Sequence, residues 1–263
     1  MNSVYEEKNP DLGVTYQWHN SRIVERIRTR RGTLVEMVDR PAWGLSCYMD
    51  GVLQSCEKDQ AVYHKVLVGN GLSPFLPVYQ TPIKVCLFGG GEGATAARLL
   101  QSRLPIESVR MIEWDQEVVD LFRTRFRSWS TLPGVDDSAW DSPRLRLEHE
   151  DAFVVCNEAH EGEYGLVLVD LFDVDEASVE RMEDFVRKTA DWSSASYGMY
   201  VATHSPFVRP SDKVLRRLRT ALASQGFRVR LVTEYVPSFH GHAVFLYGQR
   251  GAHSIVGPAS DSE

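Results

Sequence analysis

The sequence predicts an α/β fold, a mainly parallel sheet of about seven strands that ends in an antiparallel hairpin and is preceded by a small antiparallel β-sheet. Three observations carry the prediction. The apolar run Val85-Cys86-Leu87-Phe88 breaks into Gly89-Gly90-Gly91-Glu92-Gly93 and then into the alanine-rich segment Ala94 to Leu100, which reads as strand, glycine turn, helix. From there to Ala223, apolar strand-like runs alternate with helical ones, as a parallel sheet requires. Finally, Phe227 to Thr233 and His242 to Tyr247 follow each other with no helix between them, so the last two strands face each other as a hairpin.

The elements follow in order. Residues 1–31 form an N-terminal arm in which charges mix with Pro10, Gly13 and the aromatics Tyr16 and Trp18, rings that seldom stay in water without a contact. Arg22, Arg26, Arg28, Arg30 and Arg31, with Glu25 among them, suggest a solvated helix face. Residues 32–80 hold the small β-sheet region and a helix. Thr33 to Val38 and Gly44 to Met49 are β-like, Asp50-Gly51 is a tight-turn dipeptide, and Val52-Leu53-Gln54 returns as the partner strand. Lys58 to Leu67 then has Val62, Val66 and Leu67 at helical spacing, and Tyr63 and His64 stand on it. Pro74, Pro77 and Pro82 form a stiff linker.

Residues 81–250 form the Rossmann-like nucleoside-binding domain. Its second strand, Ser108 to Ile112, ends in Glu113-Trp114-Asp115, about twenty residues after the glycines, where an acid can accept hydrogen bonds from both ribose hydroxyls. Asp115 suits a cap on the helix from Gln116 better, which leaves Glu113 for the ribose. Beyond a polar loop rich in Ser, Asp and Trp, a third strand, Arg144 to Glu148, leads to His149-Glu150-Asp151, and a fourth, Tyr164 to Val169, leads to Asp170-Leu171-Phe172-Asp173. Carboxylates therefore stand at the carboxyl ends of three successive strands, the edge at which open α/β sheets bind ligands. A helix from Ala177 to Thr189, a strand from Tyr197 to Ala202 and a helix from Ser211 to Ala223 lead to the closing hairpin. That ending suits an S-adenosylmethionine-dependent transferase better than a dehydrogenase, whose helices and strands would go on alternating. Residues 251–263 read as a disordered tail.

Composition narrows the partners. A net charge of −7 and the absence of basic runs interleaved with aromatics argue against nucleic acid. With no apolar stretch of membrane-spanning length and no charged start leading into an apolar run, a cytoplasmic protein is expected. Cys47, Cys56, Cys86 and Cys156 are scattered, so packed, reduced thiols are expected and no metal site.

Across residues 32 to 248 the sequence resembles the polyamine aminopropyltransferases, of which spermidine synthase is the type. Met49-Asp50-Gly51-Val52-Leu53-Gln54 resembles the family's Leu-Asp-Gly-x-x-Gln hairpin, and Asp59-Gln60-x-x-Tyr63-His64 its Asp-Glu-x-x-Tyr-His helix. Gly89-Gly90-Gly91-Glu92-Gly93 stands for Gly-Gly-Gly-Asp-Gly, and Asp170-x-x-Asp173 for Asp-Ser-x-Asp. The resemblance implies that Gln54, His64, Gly89, Gly91, Glu92, Gly93, Glu113 and Asp151 surround the nucleoside, with Glu113 on the ribose and Asp151 on the adenine amino group. It implies that Tyr63, Asp170 and Asp173 meet the incoming amine, Asp170 preparing it for attack. It further implies decarboxylated S-adenosylmethionine as the donor, with intact S-adenosylmethionine as the alternative, a small-molecule amine as the acceptor, and a homodimer or higher homo-oligomer as the assembly.

Departures from the family pattern cluster on the acceptor side. Val174-Asp175-Glu176-Ala177 replaces a Pro and a Gly-Pro-Ala segment, Thr203-His204-Ser205 stands where Gln and Glu hold a diamine, and Phe239 replaces a substrate-facing Tyr. Gln60 replaces Glu, and Glu92 is a longer acid than the family's Asp. Two other readings stay open. One is an enzyme on the same scaffold using intact S-adenosylmethionine, as a methyltransferase or to transfer or cyclise its aminocarboxypropyl arm. The other is a non-catalytic nucleoside-binding protein, which would not need Tyr63 and Asp170. An acid at position 92 favours a donor whose tail ends in a bare ammonium.

Overall fold

A computed structural model of the chain describes residues 3–9, 13–75, 82–132, 134, 137–204 and 210–251. The amino-terminal part contains a hairpin, β1 (Val4–Asn9) and β2 (Val14–His19), and a four-stranded antiparallel sheet of β3 (Arg22–Arg28), β4 (Leu34–Arg40), β5 (Gly44–Met49) and β6 (Val52–Cys56). Helix α1 (Gln60–Leu72) leads to the main sheet, whose strands are β7 (Ile83–Gly89), β8 (Ile106–Ile112), β9 (Leu145–Glu148), β10 (Tyr164–Asp170), β11 (Ser193–His204), β12 (Phe227–Val236) and β13 (Gly241–Arg250). Between them lie α2 (Ala94–Leu100), α3 (Gln116–Arg125), the single-turn α4 (Ala152–Val155), α5 (Val179–Ala190) and α6 (Asp212–Ser224).

The main sheet has the order β12-β13-β11-β10-β7-β8-β9, with β13 antiparallel to both its neighbours and the other pairs parallel. The chain builds outward from β7 through β8 to β9, then returns to lay β10 on the other side of β7. This reversal opens a crevice at the carboxyl ends of β7 and β10, where ligands of such sheets bind. Strands β7 and β10 are buried on both faces, which is why their sequences are nearly unbroken apolar runs.

Each face of the sheet has its own core. Helices α5 and α6 bury Met182, Phe185, Val186, Leu218 and Leu222 against Phe88, Val167 and Leu246 on one side. On the other, α1 and α2 bury Leu67, Val68, Ala97 and Leu100 against Leu87, Leu168 and Phe245. A fully buried Leu or Phe contributes about 1.5–3 kcal/mol, so the two faces together hold the crevice rigid. A third cluster joins the small sheet to the main one, with Val35, Met37 and Cys47 packed on Val118, Phe122 and Trp129.

The amino-terminal residues differ from the loose arm and helical face that the sequence predicts. The hairpin is docked: Tyr16 and Trp18 stack on His240 at 4.8 and 5.9 Å, and the buried Arg40 lies 4.5 Å over the Trp18 ring. The arginine cluster forms strand β3 and the loop after it: its apolar residues Ile23, Val24 and Ile27 fall at helical spacing, but the antiparallel ladder with β4 overrides that pattern. Arg26 pairs with Glu36 directly across the ladder at 2.5 Å. The loop after α3 also holds more than its composition suggests. Two single 3₁₀ turns, Arg127–Ser130 and Ala139–Asp141, bury Trp129 and Trp140. Cys47, Cys56, Cys86 and Cys156 are free and buried. Among the described residues no helix is long and apolar enough to cross a membrane. The tail expected at 251–263 lies, past its first residue, outside the described residues, as does Ser205.

Candidate active site

The crevice is an open cavity of about 870 Å³. It collects Gln54, Tyr63, His64, Gly89, Gly91, Glu92, Glu113, Asp151, Asp170 and Asp173, all the expected site residues except Gly93. Gly93 serves from beneath: it precedes α2 with a φ of +82°, and a Cβ there would stand 2.5 Å from the Trp140 ring. Gly89, at φ +84°, is paired with Asp170 across the strands, and a Cβ on it would come within 2.0 Å of the Asp170 carbonyl oxygen. The glycine turn thus lets β7 end flush against the acid at the end of β10.

Charge in the lining is one-sided. Glu7, Glu92, Glu113, Asp115, Glu150, Asp151, Asp170 and Asp173 face the cavity against Lys8 and Arg181. Such a surface recruits cations.

On the β10 side, two carboxylates are held by phenols. Tyr63, from α1, donates to Asp170 Oδ1 at 2.5 Å, and Thr95, in the first turn of α2, donates to Asp170 Oδ2 at 2.8 Å. Tyr200, from β11, donates to Asp173 Oδ1 at 2.5 Å, and the Thr203 backbone N–H donates to Asp173 Oδ2 at 3.3 Å. Burial, reinforced by the neighbouring carboxylates, pushes both phenols well above the usual tyrosine range, so they remain donors at neutral pH.

On the β7–β9 side the acids are differently set. Glu92 accepts from Ser55 Oγ at 2.7 Å, and Ser55 accepts from Trp129 Nε1 at 2.9 Å. Burial raises the Glu92 carboxyl to about 7 despite that bond. Glu113 accepts from the Asp115 N–H at 3.0 Å and is likewise raised by burial to about 7. Asp115 caps α3 through Oδ1, accepting from the Glu117 and Val118 N–H groups at 3.1 and 3.4 Å, while both it and Glu113 line the cavity. Asp151 caps α4 through Oδ1 and has Arg181 3.7 Å from Oδ2. His64 Nδ1 lies 2.7 Å from the Gln60 carbonyl oxygen, an acceptor only, so Nδ1 carries the proton. Burial lowers its pKa and keeps the ring neutral. Gln54 lines the cavity with its amide turned back onto the Val52 carbonyl at 3.2 Å.

Five residues that the sequence reasoning missed take part: Ser55, Thr95, Trp129, Arg181 and Tyr200. Thr95 carries the one local signal, a polar residue amid the alanines of α2. Ser55, Trp129 and Arg181 meet partners far off in the sequence, Trp129 and Ser55 across 74 positions, and Tyr200 looks like an ordinary core residue.

Residues 60–252 match the family model of the spermine/spermidine synthase domain. The chain belongs to that family. A polyamine aminopropyltransferase of Sulfurisphaera tokodaii is 27% identical to it over 263 residues, covering 94% of this chain and 78% of the relative. Polyamine aminopropyltransferase 2 of Hyperthermus butylicus is 30% identical, covering 82% and 66%. Among solved structures, the spermidine synthase from Thermotoga maritima superposes with a TM-score of 0.76 at 18% identity, covering 95% of this chain and 79% of that one, a likeness of fold. A spermidine synthase in complex with the transition-state analogue AdoDATO superposes with a TM-score of 0.75 at 19% identity, with the same coverage.

Proposed function

We propose that the protein transfers an aminopropyl group from decarboxylated S-adenosylmethionine to a small-molecule amine. The observation that carries this reading is Asp170, a carboxylate held by Tyr63 and Thr95 at the switch point of an acid-lined cavity. An amine attacks only when its nitrogen lone pair is free. A carboxylate within hydrogen-bond reach takes the proton as the new C–N bond forms, the C–S bond breaks and methylthioadenosine leaves. The phenol and hydroxyl fix the carboxylate in place, so the attacking nitrogen is held in line rather than searching for its geometry.

The other acids divide the donor between them. Glu113 accepts from the ribose hydroxyls, Asp151 from the adenine amino group, and Gln54 and His64 close the same end. Glu92 receives the ammonium of the aminopropyl arm. A carboxylate on that arm, as in intact S-adenosylmethionine, would face Glu92 with a repulsion of about 4 kcal/mol at 4 Å near a protein surface, which favours the decarboxylated donor.

The test is calorimetric binding of decarboxylated and intact S-adenosylmethionine, followed by a transfer assay with a panel of amines. Tighter binding of the decarboxylated form, with methylthioadenosine released only when an amine is present, is the expected result. Preference for intact S-adenosylmethionine, or release of S-adenosylhomocysteine, would overturn it.

A further inference from the structure

We infer that Tyr200 is a positioning residue that sets which amines the site accepts, by fixing the carboxylate of Asp173 on the acceptor side of the cavity. The inference rests on the aminopropyl-transfer reading. It begins with a backbone irregularity. In regular strand geometry, side chains three residues apart point to opposite faces. The pairing of β11 with β13 shifts between Tyr200 and Ala202, with Tyr200 opposite Phe245 and Ala202 opposite Val244. The extra residue puts Tyr200 and Thr203 on the same side, and both line the cavity. Bulges beside active sites re-aim side chains in this way.

The two re-aimed residues act together on one acid. The Tyr200 hydroxyl donates to Asp173 Oδ1 at 2.5 Å and lies 2.8 Å from Thr203 Oγ1. Since its proton is given to Asp173, Thr203 is the donor in the second bond, while the Thr203 backbone N–H holds Asp173 Oδ2 at 3.3 Å. Both oxygens of Asp173 are therefore tied to one short segment of β11. The Tyr200 ring packs edge-on against Tyr63 at 5.3 Å and against Phe245 at 5.9 Å, so the hydroxyl itself cannot drift. The result is two phenol–carboxylate pairs side by side, Tyr63 with Asp170 and Tyr200 with Asp173.

A carboxylate has about four lone-pair sites on its two oxygens, so one that is already hydrogen-bonded can still accept from an ammonium. Asp173 can thus meet a second positive charge of the acceptor, and Tyr200 determines where. An amine with a second ammonium at the matching distance gains that contact, whereas a diamine of another length or a monoamine does not. Free rotation of Asp173 would blur the distinction.

The experiment compares the wild type with Tyr200→Phe, which keeps the ring and removes the hydroxyl, and with Thr203→Val, which removes the second bond in the chain. Transfer from decarboxylated S-adenosylmethionine is measured with 1,3-diaminopropane, 1,4-diaminobutane, 1,5-diaminopentane and n-butylamine. In parallel, binding of the same amines is followed by calorimetry on protein saturated with methylthioadenosine. In Tyr200→Phe the KM and Kd of the preferred diamine rise about tenfold, the size of one charge-assisted hydrogen bond. Its advantage over n-butylamine shrinks by a similar factor, donor affinity is unchanged, and Thr203→Val moves the same way by less. Tyr200→Phe with wild-type selectivity, with tighter diamine binding, or with an equal loss for every amine would overturn the inference. Inactive wild type would count instead against the transfer reading, and the amine-binding arm would still decide the role of Tyr200.

Discussion

Asp170 and the pair Glu92 and Glu113 show how one cavity sets carboxylates to different tasks. Asp170 accepts two hydroxyl bonds, which fix its carboxylate in the orientation that the proposed base role needs. Replacing it by Asn keeps the shape and removes that base, so kcat falls by about 10² to 10⁴ while donor affinity changes little. Loss of donor binding instead, seen by calorimetry, would mean that Asp170 serves the nucleoside. Glu92 and Glu113, raised by burial from 4.5 to about 7, are partly protonated in the free protein at neutral pH. A donor that brings an ammonium to one and hydroxyl donors to the other favours their ionised forms. Binding below pH 7 therefore releases protons, and affinity rises with pH through about 7 and levels off above it. Calorimetry at pH 6.2 in buffers of different ionisation enthalpy reads the release directly. Glu92→Gln removes part of it, and a wild type that binds without releasing protons would contradict the assignment.

At the scale of elements, much was legible because chemistry and periodicity coincide. The strand–glycine–helix sequence marked where β7 ends at the crevice, and Asp115 caps α3 as its place before the helix predicts. What escaped was structure made by contacts distant in sequence. Strand β3 is defined by its ladder with β4, and the hairpin β1–β2 by rings resting on His240, more than 200 residues away. Tyr200 was hidden because a strand bulge leaves no local mark. Gly93, expected at the cofactor, lies outside the cavity lining and packs α2 against Trp140. Gly93→Ala therefore forces a side chain into a left-handed backbone and into an indole. It lowers stability by about 1–3 kcal/mol, visible as a drop in the urea midpoint at unchanged m. An unaffected midpoint would mean that the Trp140 turn yields.

For the whole molecule, the open question is what covers the amino-terminal sheets. Among the described residues β3 pairs in the small sheet only with β4, and no strand lies on its other edge. Ile23 and Val24 on that strand are 38% exposed, and Val4 and Val14 on the hairpin are 44% and 41% exposed. An unpaired edge beside exposed apolar side chains is a template for pairing with another strand, and soluble proteins cover or charge such edges. Here the strand carries arginines but also Ile23 and Val24, so only half of it is protected. A second copy of the chain offers the same edge, and a two-fold pairing of β3 with β3 covers it on both copies. We propose a homo-oligomer built on this surface. Light scattering on the purified protein should give a mass that is a multiple of 29.8 kDa. Ile23→Lys together with Val24→Lys places like charges across the proposed junction and should return the mass to a single chain without moving the urea midpoint of the main sheet. A wild type of single-chain mass, or a double variant of unchanged mass, would rule out this edge as the interface.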